Sequence, residues 1–179
     1  MSIEKLTPLL LLLFFPWKQN LETNFNSRKA DNHKVIEANN QDFKTIDFSK
    51  YTLNTTDGKL TKLSLEKGKI YILDFWYLEC KPCVKDHHAI AKYIKNGKNN
   101  SIEIIGMSID RSKNKWTTYL KLNHYNWPNY NQFGYDTSLY KDLEIQLFPT
   151  YLVVNSNGDI LHKSNRFNNA LDFAGSTKF

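Results

Sequence analysis

The chain has two cysteines, Cys80 and Cys83, and they stand three positions apart in Glu79-Cys80-Lys81-Pro82-Cys83. Thiols at this spacing can close into a disulfide and reopen, or can supply half of a tetrahedral zinc site. The flanking residues bear on the choice. Ile70 to Trp76 is an apolar run that reads as a buried strand, and Val84 to Ile94 carries its apolar residues at helical spacing. A strand therefore delivers both thiols to a helix start, where unpaired backbone N–H groups and the positive end of the helix dipole stabilise an anion. Cys80, at or just before that start, is expected to be the more acidic thiol. A helix N-terminus and a neighbouring cation, here Lys81, bring a cysteine pKa from about 8.5 to between roughly 3.5 and 7.5. Cys83, one turn in, is placed to resolve a mixed disulfide. Pro82 suits an early helical position, where its missing N–H costs nothing and its φ is already helical.

The elements that must hold this pair follow from pattern. Asp57-Gly58 is a turn signal between Phe43–Leu53, where apolar and polar residues alternate, and the apolar Leu60 and Leu63, so a β-hairpin is expected before the central strand. The helix from about Pro82 puts Cys83, Val84, His87, Ile90, Ala91 and Ile94 on one face, with His88 at its edge. Ile102 to Ile109 reads as a β-branched strand and Asp110 to about Tyr125 as a helix with Trp116, Tyr119, Leu120 and Asn123 inward. Trp127 to Tyr130 reads as a short strand or loop, Tyr135 to Leu143 as a short helix, and Asn168 to Phe173 as a terminal one.

These residues together resemble the thioredoxin-like superfamily. Asp74-Phe75-Trp76 followed by Cys-x-x-Cys resembles its active-site strand and turn, Ile104 to Asp110 its next strand, Phe148-Pro149-Thr150 its cis-proline loop, and Tyr151 to Ile160 its closing hairpin. Order and spacing are similar to those of the TlpA-like, ResA-like thiol-disulfide oxidoreductases, over about Phe48 to His162. The resemblance implies an α/β thioredoxin-like fold, a central mixed β-sheet flanked by helices, with an N-terminal β-hairpin and an inserted helix and strand.

It also implies a site. Cys80 attacks a substrate disulfide, Cys83 resolves the mixed disulfide, and the Cys80–Cys83 disulfide is the redox-active form. Asp74 matches the family's buried acid. Burial disfavours its charged form, which moves its pKa toward the range of a general base for the Cys83 proton. Trp76, Lys81, Pro82, Phe148, Pro149 and Thr150 are the expected substrate-binding positions, with a cis bond before Pro149. Trp76 and Tyr77 are also expected to pack beneath the site. Glu79 replaces the tryptophan that usually precedes the first cysteine, and its charge opposes the effect of Lys81. His87 stands where relatives often carry a large apolar residue, and His88 where they often carry a proline. No cofactor and no metal is implied. The partners are protein thiols and disulfides, together with a membrane redox protein that re-reduces the pair.

Composition sets the outer bounds. The 179 residues fit one domain plus a tail, and 41% hydrophobic with 14% aromatic residues is a globular composition. The net charge of +6 comes from scattered lysines without a dense basic block, so no nucleic-acid partner is expected. Residues 1–20 contain the apolar run Leu6 to Phe15, shorter than the roughly 20 residues that span a bilayer and of the length of a signal-peptide core. Residues 21–42 are polar and Asn-rich, as in a linker, and 43–179 form the thioredoxin-like domain. A periplasmic or cell-envelope location follows, with the apolar segment as a possible tether, and a cytoplasmic one if that segment is no signal. Three other classes compete: a thiol peroxidase, for which no Thr-x-x-Cys precedes Cys80; a zinc site of Cys80, Cys83 and His87, which lacks a second Cys-x-x-Cys; and a binding module with idle thiols.

Overall fold

A computed structural model describes residues 44–97, 99–133 and 138–177. Its centre is the strand Ile70–Trp76, in which all seven residues are buried. Coverage on both faces explains why the segment reads as a continuous apolar run rather than an alternating one. With β1 Leu53–Thr55, β2 Leu60–Thr61, β3 Ile70–Trp76, β4 Ile102–Ser108, β5 Asn129–Asn131, β6 Thr150–Asn155 and β7 Ile160–Ser164, the sheet has the order β2-β1-β5-β4-β3-β6-β7. β3 runs parallel to β4 and antiparallel to β6, and β4 is parallel to β5. The mixed sheet and its flanking helices are the α/β architecture expected.

The described α-helices are α1 Lys81–Lys95, α2 Lys113–Leu122, α3 Ser138–Asp142 and α4 Phe167–Ser176. Alternation along β3 divides the interior. Ile70, Ile72 and Trp76 pack with Cys83 and Ile90 of α1, Trp116 and Leu120 of α2, and Phe167, Ala170 and Ala174 of α4. Tyr71, Leu73 and Phe75 pack on the other side with Leu53, Leu63, Leu139, Tyr140 and Leu143. Each fully buried Ile or Leu contributes about 1.5 to 3 kcal/mol. Asp74 shares the parity of Ile72 and Trp76 and so faces the α1 side.

Gly106 of β4 is the register partner of Asp74. A Cβ there would collide with the Asn129 side chain and would lie 3.2 Å from Trp76 Nε1. The glycine lets these side chains close over the strand.

Some local expectations change. The hairpin around Asp57-Gly58 forms, but its strands are only Leu53–Thr55 and Leu60–Thr61. Asp47 caps a 3-10 turn at Phe48–Lys50 through Ser49 N, which ends the alternation before a strand can run; Ile46, Phe48 and Tyr51 are buried from this irregular lead. Asn123, read as inward, is exposed at the end of α2, where its Nδ2 donates to Tyr119 O at 2.8 Å. Of Trp127 to Tyr130 only Asn129 and Tyr130 join a strand, β5, which runs on to Asn131. Residues 1–43, with the apolar segment and the linker, lie outside the described residues. Among the described residues no helix is long and apolar enough to cross a membrane.

Candidate active site

Cys80 is the N-cap of α1, and its Sγ accepts from Cys83 N at 3.2 Å. Val84 N donates to Cys80 O at 3.1 Å as the helix begins, and Cys80 N donates to Tyr77 O at 3.1 Å to close the turn before it. The two thiols are joined as a disulfide. Cys83 is fully buried and Cys80 is 4% exposed, so a partner reaches Cys80 first. Glu79, Lys81 and Pro82 are exposed. Water screens the opposed charges of Glu79 and Lys81, and the helix start is the nearer influence on Cys80.

The Phe148-Pro149 peptide is cis. Phe148 packs edge-on against Tyr77, with ring centroids 5.2 Å apart, which brings this loop beside the turn that holds Cys80. Thr150 Oγ1 donates to Leu147 O at 2.7 Å, and Thr150 pairs with Phe75 at the start of β6. The turn is tied from the other side by Asp110, whose Oδ1 accepts from Leu78 N at 3.0 Å and whose Oδ2 accepts from Ser108 Oγ at 2.7 Å.

On the α1 side of β3, Asp74 is completely buried. Its Oδ2 lies 3.1 Å from His87 Nε2, and its Oδ1 has no hydrogen-bond partner. Burial pushes the Asp74 carboxyl above its ordinary value of 3.8, against the opposing pull of His87. His87 is itself fully buried, and its Nδ1 meets Tyr119 Oη at 3.0 Å. Trp76 packs edge-on to His87 at 4.5 Å, and Tyr125 and Trp127 close the ring of aromatics.

A family model described as thioredoxin-like matches residues 68–160, more than half of the chain. The chain belongs to the thioredoxin-like family. It is 28% identical over 115 residues to the thiol-disulfide oxidoreductase ResA of Bacillus subtilis, which covers 64% of this chain and 63% of that protein. The ResA of Bacillus cereus is 24% identical over 113 residues, covering 63% and 64%. The chain thus spans less than two thirds of the length of the curated relatives it matches. Among solved structures, a thiol-disulfide oxidoreductase from Bacteroides fragilis superposes with a TM-score of 0.62 at 22% identity, over 73% of this chain and 96% of that one. StoA from Bacillus subtilis gives 0.58 at 20%, over 72% and 96%. At such identities the likeness is one of fold.

Within this thioredoxin-like frame the residues singled out from sequence occupy different depths. Cys80, Lys81, Pro82 and Phe148 reach or border the surface around the disulfide, whereas Pro149 and Thr150 are buried at its edge. Trp76 requires correction as a substrate-binding position. It is fully buried against His87 and Tyr119 and presents no surface to a partner, so its part is the packing beneath the pair. His87, an unexpected polar residue on the apolar face of α1, is the partner of Asp74. Two polar groups, one in an apolar strand and one on an apolar helix face, must satisfy each other if both point into one core, and that was the available signal. The zinc arrangement does not fit these residues, because both His87 nitrogens are engaged, one by Asp74 and the other by Tyr119.

Proposed function

We propose that this protein is a thiol-disulfide oxidoreductase of the ResA type that exchanges disulfides with protein substrates through Cys80 and Cys83. The observation that carries the reading is the Cys80–Cys83 disulfide at the start of α1, with one sulfur slightly exposed and the other fully buried on the side of β3 that Asp74 faces. In the reduced protein the Cys80 thiolate takes the place of the sulfur that accepts from Cys83 N, stabilised by the helix start. It attacks a client disulfide, forming a mixed disulfide and releasing the first client thiolate. Cys83 then passes its proton to Asp74, through the unpartnered Oδ1, and attacks Cys80 Sγ. The second client thiolate leaves, and the disulfide described here is the product. Two electrons pass to the client, and no bound cofactor takes part.

Client chains are held by Lys81 and Pro82 on one side and by the Phe148-Pro149-Thr150 loop on the other. The contact of Tyr77 with Phe148 supports this reading, since it sets the loop beside the cysteines. The reading includes residues 43–179 as the catalytic domain, residues 1–20 as an export or anchoring segment with residues 21–42 as spacer, a cell-envelope location and a membrane protein that re-reduces the pair. The apolar run Leu6 to Phe15 supports the location.

The test is a Cys83→Ser variant incubated with a disulfide-bonded client, with the equilibrium of Cys80/Cys83 against glutathione measured in parallel. A mixed disulfide trapped on Cys80 and a pair that cycles are expected. A pair that stays oxidised across the series, with no adduct on Cys80, would overturn the proposal.

A further inference from the structure

Two helices reach Asp74 through polar atoms. Asp74 Oδ2 lies 3.1 Å from Nε2 of His87 on α1, and His87 Nδ1 lies 3.0 Å from Oη of Tyr119 on α2. Asp74 and His87 are fully buried. Rings wall the imidazole in: Trp76 stands edge-on with centroids 4.5 Å apart, Tyr125 at 5.5 Å and Trp127 at 5.7 Å. His87 follows Cys83 by one turn, so thiol and imidazole share the buried face of α1.

Asp74 must be a carboxylate to take the Cys83 proton, and a carboxylate only accepts hydrogen bonds. Nε2 of His87 therefore carries hydrogen and donates to Oδ2. In the neutral ring Nδ1 is then an acceptor, and the one hydrogen of the Tyr119 hydroxyl fills it. We propose that Tyr119 and His87 are positioning residues for the resolving step. Tyr119 holds the ring in its Nε2–H tautomer, and that N–H holds Asp74 by Oδ2, so that Oδ1 is the oxygen that receives the Cys83 proton. This role rests on the exchange reaction above and names the residues that aim and tune its base.

One proton changes hands. The Cys83 S–H proton moves to Asp74 Oδ1, the atom without a hydrogen-bond partner. The electron pair left on Cys83 forms the bond to Cys80 Sγ, and the client thiolate leaves with the pair of the mixed disulfide. His87 keeps its proton and goes on donating to Oδ2, now the carbonyl oxygen of the acid. Re-reduction returns the proton from Oδ1 to the Cys83 sulfur. The Nε2–H bond is stronger to the carboxylate than to the acid, so it favours the ionised form and opposes the effect of burial on Asp74. Without it the carboxyl would stay protonated to higher pH and could not accept from the thiol.

Neighbouring titratable groups have other partners. Asp86 of α1 accepts from Tyr151 Oη of β6 at 3.0 Å, and its charge opposes ionisation of Asp74. Both Asp110 oxygens are taken by Leu78 N and Ser108 Oγ, and Tyr140 Oη donates to Met107 O at 2.8 Å. Tyr125 Oη meets Nδ1 of the exposed His88 at 3.1 Å. Among the described residues the hydrogen bond to Asp74 comes from His87.

The test combines two readouts on the full chain. Nitrogen-15 NMR of labelled histidine reads the ring of His87, expected as the neutral Nε2–H tautomer in both the oxidised and the reduced protein. Rapid-mixing kinetics reads the resolving step across pH. His87→Leu removes the N–H, and the acid limb of its profile is expected to move up by about one pH unit, so that the rate falls about tenfold at the acid end and rejoins the wild type as pH rises. His87→Gln, whose amide N–H donates in the same place, is expected to keep the wild-type limb. Tyr119→Phe frees Nδ1 to take the ring proton and is expected to shift the limb upward by less. A structural role alone would lower stability and leave the limb in place. A ring protonated on Nδ1 or on both nitrogens, or a limb that does not move in His87→Leu and Tyr119→Phe, would overturn the assignment; if His87→Leu does not fold, the ring tautomer and Tyr119→Phe decide. A wild-type protein that cycles while these expectations fail leaves the exchange reaction standing, and one that does not cycle removes both.

Discussion

Asp74 and Asp110 are buried carboxyls on either side of one turn, and the chain treats them differently. Asp110 follows β4 and is bonded through both oxygens and its backbone: Leu78 N and Ser108 Oγ take its two oxygens, and Asn131 Nδ2 bonds both Ser108 Oγ, at 2.9 Å, and Asp110 O, at 3.1 Å. Asp74 sits deeper, with one histidine for a partner and one oxygen unoccupied. The first arrangement is a fastening, in which each carboxylate oxygen has a partner and the turn before Cys80 is pinned. The second is incomplete in the resting oxidised protein. A buried polar atom without a partner costs about 1 to 3 kcal/mol, and the open Oδ1 supports the proposed part of Asp74 as acceptor of the Cys83 proton.

Exchanging the two roles is the direct way to break this comparison. Asp74→Asn removes the proton acceptor, and general-base contributions run to roughly 10² to 10⁴ in rate. A loss in that range is expected for the resolving step at neutral pH, in an insulin-reduction or single-turnover assay, with folding intact. Asp110→Ala is expected to do the reverse. It orphans Leu78 N and the Ser108 hydroxyl and lowers stability by about 2 to 4 kcal/mol, measured by denaturant unfolding, while the folded fraction keeps its exchange chemistry. A rate collapse in Asp110→Ala without destabilisation would erase the distinction.

The pH dependence sharpens it. Burial holds the native Asp74 carboxyl above 3.8, and burial also raises Asp110 despite its bonds to Leu78 N and Ser108. A raised native value means that each contribution is present in full below the unfolded value and is lost as pH rises through the native one. The oxidised wild type is therefore expected to lose stability as pH rises from about 4 through those raised values. Asp74→Asn flattens most of that slope, as thermal unfolding across a pH series would read. The smallest expected effect is that of Ser108→Ala, which removes the bonds of Ser108 Oγ to Asp110 Oδ2, Asp110 N and Asn131 Nδ2 and costs about 1 to 2 kcal/mol with no change in rate.

What could be read from sequence was whatever is local along the chain. The strand into Cys80, the cap, the helix face through Cys83, His87 and Ile90, and the turn at Asp57-Gly58 depend on neighbours within a few residues. The Asp74–His87 bond joins positions 13 apart and crosses from strand to helix, and Tyr119 and Tyr125 come from a segment whose aromatic residues look like ordinary core. Periodicity reports which side of an element is covered and is silent on which polar atom meets which. The short β1 and the 3-10 turn before it were hidden for a related reason: Asp47 diverts the backbone with a side-chain bond that alternation cannot register.

Gly106 carries a consequence for the history of this site. Any side chain at that position meets Asn129, which is buried and holds Trp127 O through its own Nδ2 at 2.9 Å, and it crowds the Trp76 indole beneath the cysteines. A side chain there requires Asn129 to shift or to change with it. Change around Asp74 is open along α1 and α2, where His87 and Tyr119 stand, and is hindered from β4 at Gly106.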